Sequence, residues 1–264
     1  MMSFSGLALS LSALLALVPV GLVRVETRRA LWLALAVAIA GPAVWLFDNF
    51  ADGWRTGFTT ALWLAILVSM AIFAGLVAFV RGAAKLAPLL AAYLVGLAAI
   101  GTIWQHAPER PLVGQPPEAF LIAHVLVALV AYGLTTLAAI AGLGVFLQER
   151  AIKAKRPTEF TRRLPSIAEG ETLLANLLMA SGAVLAFALI SGGVLSWLTF
   201  EAQVKIDHKT ILSLITFVAI AALLYVHRRG GISGRRAARY VLFAYLLLTL
   251  AYPGVKFVTD VVLP

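Results

Sequence analysis

Four histidines, His106, His124, His208 and His227, are the sparse chemistry-bearing residues of a 264-residue chain that has no cysteine. Without thiols there is no disulfide, thiolate metal site, iron–sulfur cluster or thiol nucleophile. Neutral imidazole remains, and it is both a common metal ligand and a standard axial ligand of haem iron. His106 lies in the Pro-rich stretch QHAPERPLVGQPPE and reads as solvated. His124 falls a few residues into a long apolar run. His208 opens another run in KIDHKT, and His227 closes that run beside Arg228 and Arg229. Taking an imidazole into hydrocarbon costs free energy unless its nitrogens find partners. Two readings therefore stand side by side. His124 and His208, from different helices at similar depth, grip a flat macrocycle such as haem b edge-on. Alternatively, His124 hydrogen-bonds a neighbouring helix and His208 is an interfacial polar residue.

Other catalytic patterns are missing from the sequence. Walker-type, HExxH and GxSxG motifs do not occur, and Gly192-Gly193 and Gly230-Gly231 have no strand before them. No residue reads as a general acid or base. No carboxylate falls near the middle of an apolar run, which argues against an ion-coupled transporter.

The elements that must position these histidines follow from composition. The chain is 62% hydrophobic and 12% charged, with a mean hydropathy of +0.97. Soluble domains carry roughly twice that share of charge. The chain is therefore read as an all-α polytopic membrane protein, a single integral domain over 1–264. A bilayer core takes about 20 apolar residues per helix. Eight such runs lie near 4–23, 30–47, 59–80, 86–104, 119–147, 173–200, 210–226 and 240–262. None alternates with the period of two that a barrel strand needs. The fifth and sixth are long enough to tilt or to project beyond the hydrocarbon. Between them lies a basic connector, Gln148–Thr172.

Charge gives the orientation. Alternate loops Arg24–Arg29, Arg81–Lys85, Gln148–Thr172 and His227–Arg239 hold 16 of the 21 Lys and Arg. The positive-inside rule puts these loops in the cytoplasm and both termini outside. The formal charge of +9 then orients the chain and meets lipid headgroups; it is not read as a nucleic-acid site.

A helical wheel refines His124. Ala128, Ala131, Thr135 and Gly142 share its face, while Leu126, Val130, Leu137 and Ile140 oppose it. Small residues leave room for a macrocycle, and they equally allow a second helix to approach closely. Trp45, Trp54, Trp104 and Trp197 read as an aromatic belt near one membrane boundary. Ser181, Gly182, Ser191, Gly192 and Gly193 read as helix-packing positions. Asp207 and Lys209 read as solvated neighbours of His208.

The stretch PEAFLIAHVLVALVAYGLTTLAAIAGLGVFLQERAIK resembles the core helix of cytochrome c assembly proteins of the CcsA/CcmC type, with Tyr132 eight residues after His124. The later segment from SGGVLSWLTFEAQVKIDHKT to AYPGVKF resembles their tryptophan-rich signature and the two helices after it. The likeness covers about 117–258 and is strongest to the small YpjD-like or HemX-like branch. It implies haem handling at the outer face of the membrane, with His124 as one external axial ligand and apocytochrome c or another membrane protein as partner. The chain departs from the signature in keeping only Trp197 and Phe200 among nearby aromatics. It also has His208 where the family has Pro, and no later external His, so His208 stands as the substitute second ligand. His227 matches an inner histidine of some members, without its partner. The degenerate signature admits a different class as well: a haem-free accessory subunit that binds another membrane protein.

Overall fold

The computed structural model describes residues 4–23, 27–51, 55–80, 82–111, 118–199, 208–229 and 234–262. The protein is all-α and polytopic. Its helices are α1 (Phe4–Leu22), α2 (Arg28–Asn49), α3 (Phe58–Phe79), α4 (Ala87–Ile103), α5 (Glu118–Lys153), α6 (Glu159–Arg163), α7 (Ile167–Thr199), α8 (His208–Arg228) and α9 (Gly234–Thr249). Seven of the eight apolar runs coincide with one of the longer helices, and the last overlaps α9 and the turns after it. Two residues at each of two loops, Arg55–Thr56 and Arg110–Pro111, form a short antiparallel pair that the sequence reading left as loop.

The chain divides into two compact units, residues 1–112 with 256–264, and residues 113–255. In the first unit α1 packs on α2 and α4, and α3 closes the ring by packing on both. In the second unit α5 packs on α7 and α9, with α8 between those two. Each unit is thus a ring of four helices. In lipid, helices gain little from hydrophobic burial and rely on close packing of small residues. At Gly41 of α2 a Cβ would fall 2.7 Å from the Ala16 Cβ of α1, so a side chain there would force the two helices apart.

A polar cluster ties the first unit together at one end. Trp45 Nε1 donates to Ser10 Oγ at 2.9 Å, and Ser10 donates to Gln105 Oε1 at 3.1 Å. Thr60 donates to Glu109 Oε1, and Asn49 Nδ2 donates to Thr60 Oγ1 at 2.9 Å. Trp45 is 7% exposed and stacks on the fully buried Trp63, with ring centroids 5.3 Å apart. The belt reading of Trp45 is therefore corrected: its indole lies in the core, because Ser10 satisfies its N–H there. Trp104 is half-buried and meets Phe58 and Phe257 edge-on, whereas Trp197 is 52% exposed, as a belt residue should be. Trp54 lies outside the described residues. Glu109→Ala would leave Thr60 and Asn49 without their charged acceptor. We expect a loss of about 1–3 kcal/mol, read as a lower unfolding temperature in detergent.

The connector is shorter than the sequence reading made it. α5 continues to Lys153 and α7 begins at Ile167. Gln148 Nε2 donates to the carbonyls of Thr161 (2.8 Å) and Pro165 (3.1 Å), which folds the α6 turn back onto α5. Ser166 and Glu169 then form a capping box that starts α7: Glu169 N–H donates to Ser166 Oγ, and Ser166 N–H donates to Glu169 Oε2. The last run is also not one continuous span. α9 gives way to a π-helical turn over Leu250–Gly254 that contains Pro253. Proline lacks an N–H and clashes with the carbonyl four residues before it, and the wider π turn relieves both problems.

Candidate functional site

α5 is the central element of the second unit. From Leu129 to Val145 it is buried almost all round: Leu129, Ala131, Tyr132, Leu137, Ala138, Ala141 and Val145 are each at most 2% exposed. Over 119–128 the pattern changes, and every residue is half-buried or exposed despite being mostly apolar. His124 lies in this second stretch and is half-buried.

α5 and α7 run in opposite senses as successive spans. His124 is six residues from the start of α5 and Ser191 eight residues from the end of α7. At 1.5 Å per residue these are depths of about 9 and 12 Å, so the two side chains meet. Imidazole Nδ1 is 2.8 Å from Ser191 Oγ. Ser191 itself bonds back to the Ala188 carbonyl at 3.0 Å. The ring lies against Gly192, where a Cβ would stand 3.0 Å from Cε1 and 3.6 Å from Nε2. Among the described residues Nε2 has no hydrogen-bond partner.

The small-residue face of α5 serves helix packing away from His124. Thr135 and Ala131 are at most 1% exposed, and a Cβ on Gly142 would touch Ala238 of α9 and Leu174 of α7. Along the described part of α5, the stretch that holds His124 is the loosely packed one. Farther along, Tyr132 Oη lies 3.1 Å from Tyr245 Oη of α9, and Thr136 Oγ1 lies 3.2 Å from the latter. This cluster fixes α5 against α9 about two turns from the histidine.

The other sequence candidates are less well defined. His208 is the first residue of α8, and its side chain, like that of His227, lies outside the described residues. Asp207 lies outside them altogether. His106 is exposed. The sequence reading took Ser191 and Gly192 for packing residues, and the structure gives them a second task as the partners of His124. Their signal in the sequence was depth alone. Among the described residues no three His, Cys, Asp or Glu side chains converge.

A model of the Cytochrome C assembly protein family matches residues 30–263. The chain belongs to this family. It is 46% identical over 263 residues to an uncharacterized 28.8 kDa protein in the nifR3-like 5′ region of Azospirillum brasilense, covering 96% of this chain and 97% of that one. It is also similar to Protein HemX of Brevibacillus brevis, at 25% identity over 150 residues, 56% of this chain and 55% of that protein. No solved structure matches. The resemblance seen in the sequence to the CcsA/CcmC type is borne out, and the HemX match agrees with the small branch. Membership of the cytochrome c assembly family supports a role in cytochrome c biogenesis and suggests an association with haem.

Proposed function

We propose that this protein binds haem b at His124 and presents it at the outer face of the bacterial inner membrane for cytochrome c assembly. The observation that carries the reading is an imidazole inside a membrane helix with Nδ1 engaged by Ser191 and Nε2 without a partner among the described residues. A polar nitrogen left bare in an apolar setting costs free energy. A bound iron would satisfy it. The donor set fits haem, since a porphyrin supplies four ligands and needs only axial imidazoles. His208 is the proposed second axial ligand. It begins α8, which packs on α7, the helix that carries Ser191. The basic loops are taken to lie in the cytoplasm, where their Lys and Arg meet anionic headgroups.

The protein would hold and orient the cofactor. Attachment to an apocytochrome would use that partner's thiols, since this chain has none. The test is a deletion strain whose membranes are stained for covalently bound haem. We expect a several-fold loss of holo-cytochrome c, restored by the wild-type gene and not by His124→Ala. Normal holo-cytochrome c together with a different membrane phenotype would instead favour the haem-free accessory subunit.

A further inference from the structure

We propose that Ser191 fixes His124 as the tautomer with its proton on Nδ1, so that the lone pair of Nε2 is the one offered to a ligand, and that Gly192 is the seat that aims the ring. The inference deepens the haem reading and rests on it for its purpose, although the tautomer itself is a property of the protein without cofactor.

The available protons decide the tautomer. A serine hydroxyl has one. The Ser191 hydroxyl lies 3.0 Å from the Ala188 carbonyl in its own helix, the usual destination for a serine proton inside a membrane helix. The contact between Nδ1 and Ser191 Oγ, at 2.8 Å, then needs a proton from the ring. Neutral imidazole has a single N–H, so Nδ1–H leaves Nε2 with its lone pair. The reverse arrangement is worse on two counts. It would turn the serine proton away from Ala188, and it would put an N–H on Nε2, which has no acceptor among the described residues. An orphaned donor in an apolar setting is costly. Metal-bound histidines in general have their other nitrogen held by a second protein group, which sets tautomer and ring angle. Here a neutral hydroxyl occupies the position more often taken by a carboxylate or a backbone carbonyl.

Gly192 sets the angle. With a Cβ at 3.0 Å from Cε1, any side chain would push against the ring edge between the two nitrogens. Gly193, one residue on, has nothing within 4 Å of its Cβ position and provides a control on the same helix.

The experiment uses the full chain with ¹⁵N-labelled histidine in lipid nanodiscs, without haem. Solid-state NMR reads which ring nitrogen carries the proton, and the His124 signals are those lost in His124→Ala. The expected result is protonated Nδ1 and bare Nε2 in wild type. Ser191→Ala should shift the population towards Nε2–H, and Ser191→Thr should restore it. Titration with haemin then reads the consequence. About a 10-fold or greater loss of affinity is expected for Ser191→Ala, with recovery in Ser191→Thr. Gly192→Val should also weaken binding, and Gly193→Ala should not. Helical circular dichroism confirms that each variant is folded. Protonated Nε2 in wild type, or the same tautomer in wild type and Ser191→Ala, overturns the proposal. A wild-type protein with Nδ1–H that takes up no haemin leaves the tautomer standing and defeats the haem reading, so the two failures are distinguishable.

Discussion

His124→Ala is expected to abolish haem binding. Wild-type protein purified in mild detergent and loaded with haemin should give a b-type spectrum with a sharp, red-shifted Soret band. The variant should give only the broad absorption of haem loose in micelles. The expectation is large because the described part of the site offers a single coordinating nitrogen. With Nε2 gone, α5 and α7 carry no other imidazole, and His208 of α8 would be left as a lone ligand. His208→Ala should act differently: if it supplies the opposite axial bond, its loss converts a six-coordinate low-spin spectrum into a five-coordinate high-spin one with weaker retention. His106→Ala should leave the spectrum unchanged, since His106 is exposed in a loop. A wild-type protein that stays colourless with excess haemin would overturn the haem proposal without touching the fold.

The second large effect concerns stability. Gly234 opens α9 with φ at +59°, a left-handed conformation that costs a non-glycine residue about 1–2 kcal/mol. Its N–H donates to Glu171 Oε1, and a Cβ there would collide with Glu149 Oε1. Two carboxylates thus crowd the N-terminus of α9, where the helix dipole favours negative charge. Gly234→Ala must pay the backbone strain and also displace Glu149, which is bonded to Lys153 at 3.4 Å. A loss of about 1–3 kcal/mol is expected, most of it backbone strain, since the end of the flexible Glu149 side chain can swing aside. Thermal unfolding in detergent, with the yield of folded protein in membranes as a second readout, checks this. Gly193→Ala, with open space at its Cβ, should be within about 0.5 kcal/mol of wild type. Equal stability of the two variants would show that the left-handed conformation at Gly234 is not required for α9 to start there. Glu171→Gln keeps a weaker acceptor for the same N–H and should cost less, about 1 kcal/mol.

The sequence by itself determined what depends on composition and on local periodicity. Eight apolar runs in a chain with so little charge have one stable form, because the bilayer core leaves no other way to satisfy the backbone. The long fifth run and the isolated His124 within it were legible for the same reason, and the family likeness around them was carried by contiguous residues. What only the tertiary structure decided is how those runs meet. Ser191 and Gly192 lie 67 and 68 residues from His124, and nothing local marks them as its partners. Antiparallel packing of α5 on α7 puts them at one depth and on facing sides. The wheel around His124 offered two uses for the small residues. Burial of Thr135 and Ala131 and the close approach at Gly142 assign the deeper ones to helix packing, a choice set by α7 and α9 and absent from α5 alone. Trp45 looked like a boundary residue by its place in the run, and became a core residue because Ser10 of another helix accepts its N–H. The physical reason is common to all three. Hydropathy is a property of a segment and sets whether it enters the membrane. A hydrogen bond or a close approach inside the membrane belongs to a pair of segments, and the register between them is fixed only when they pack.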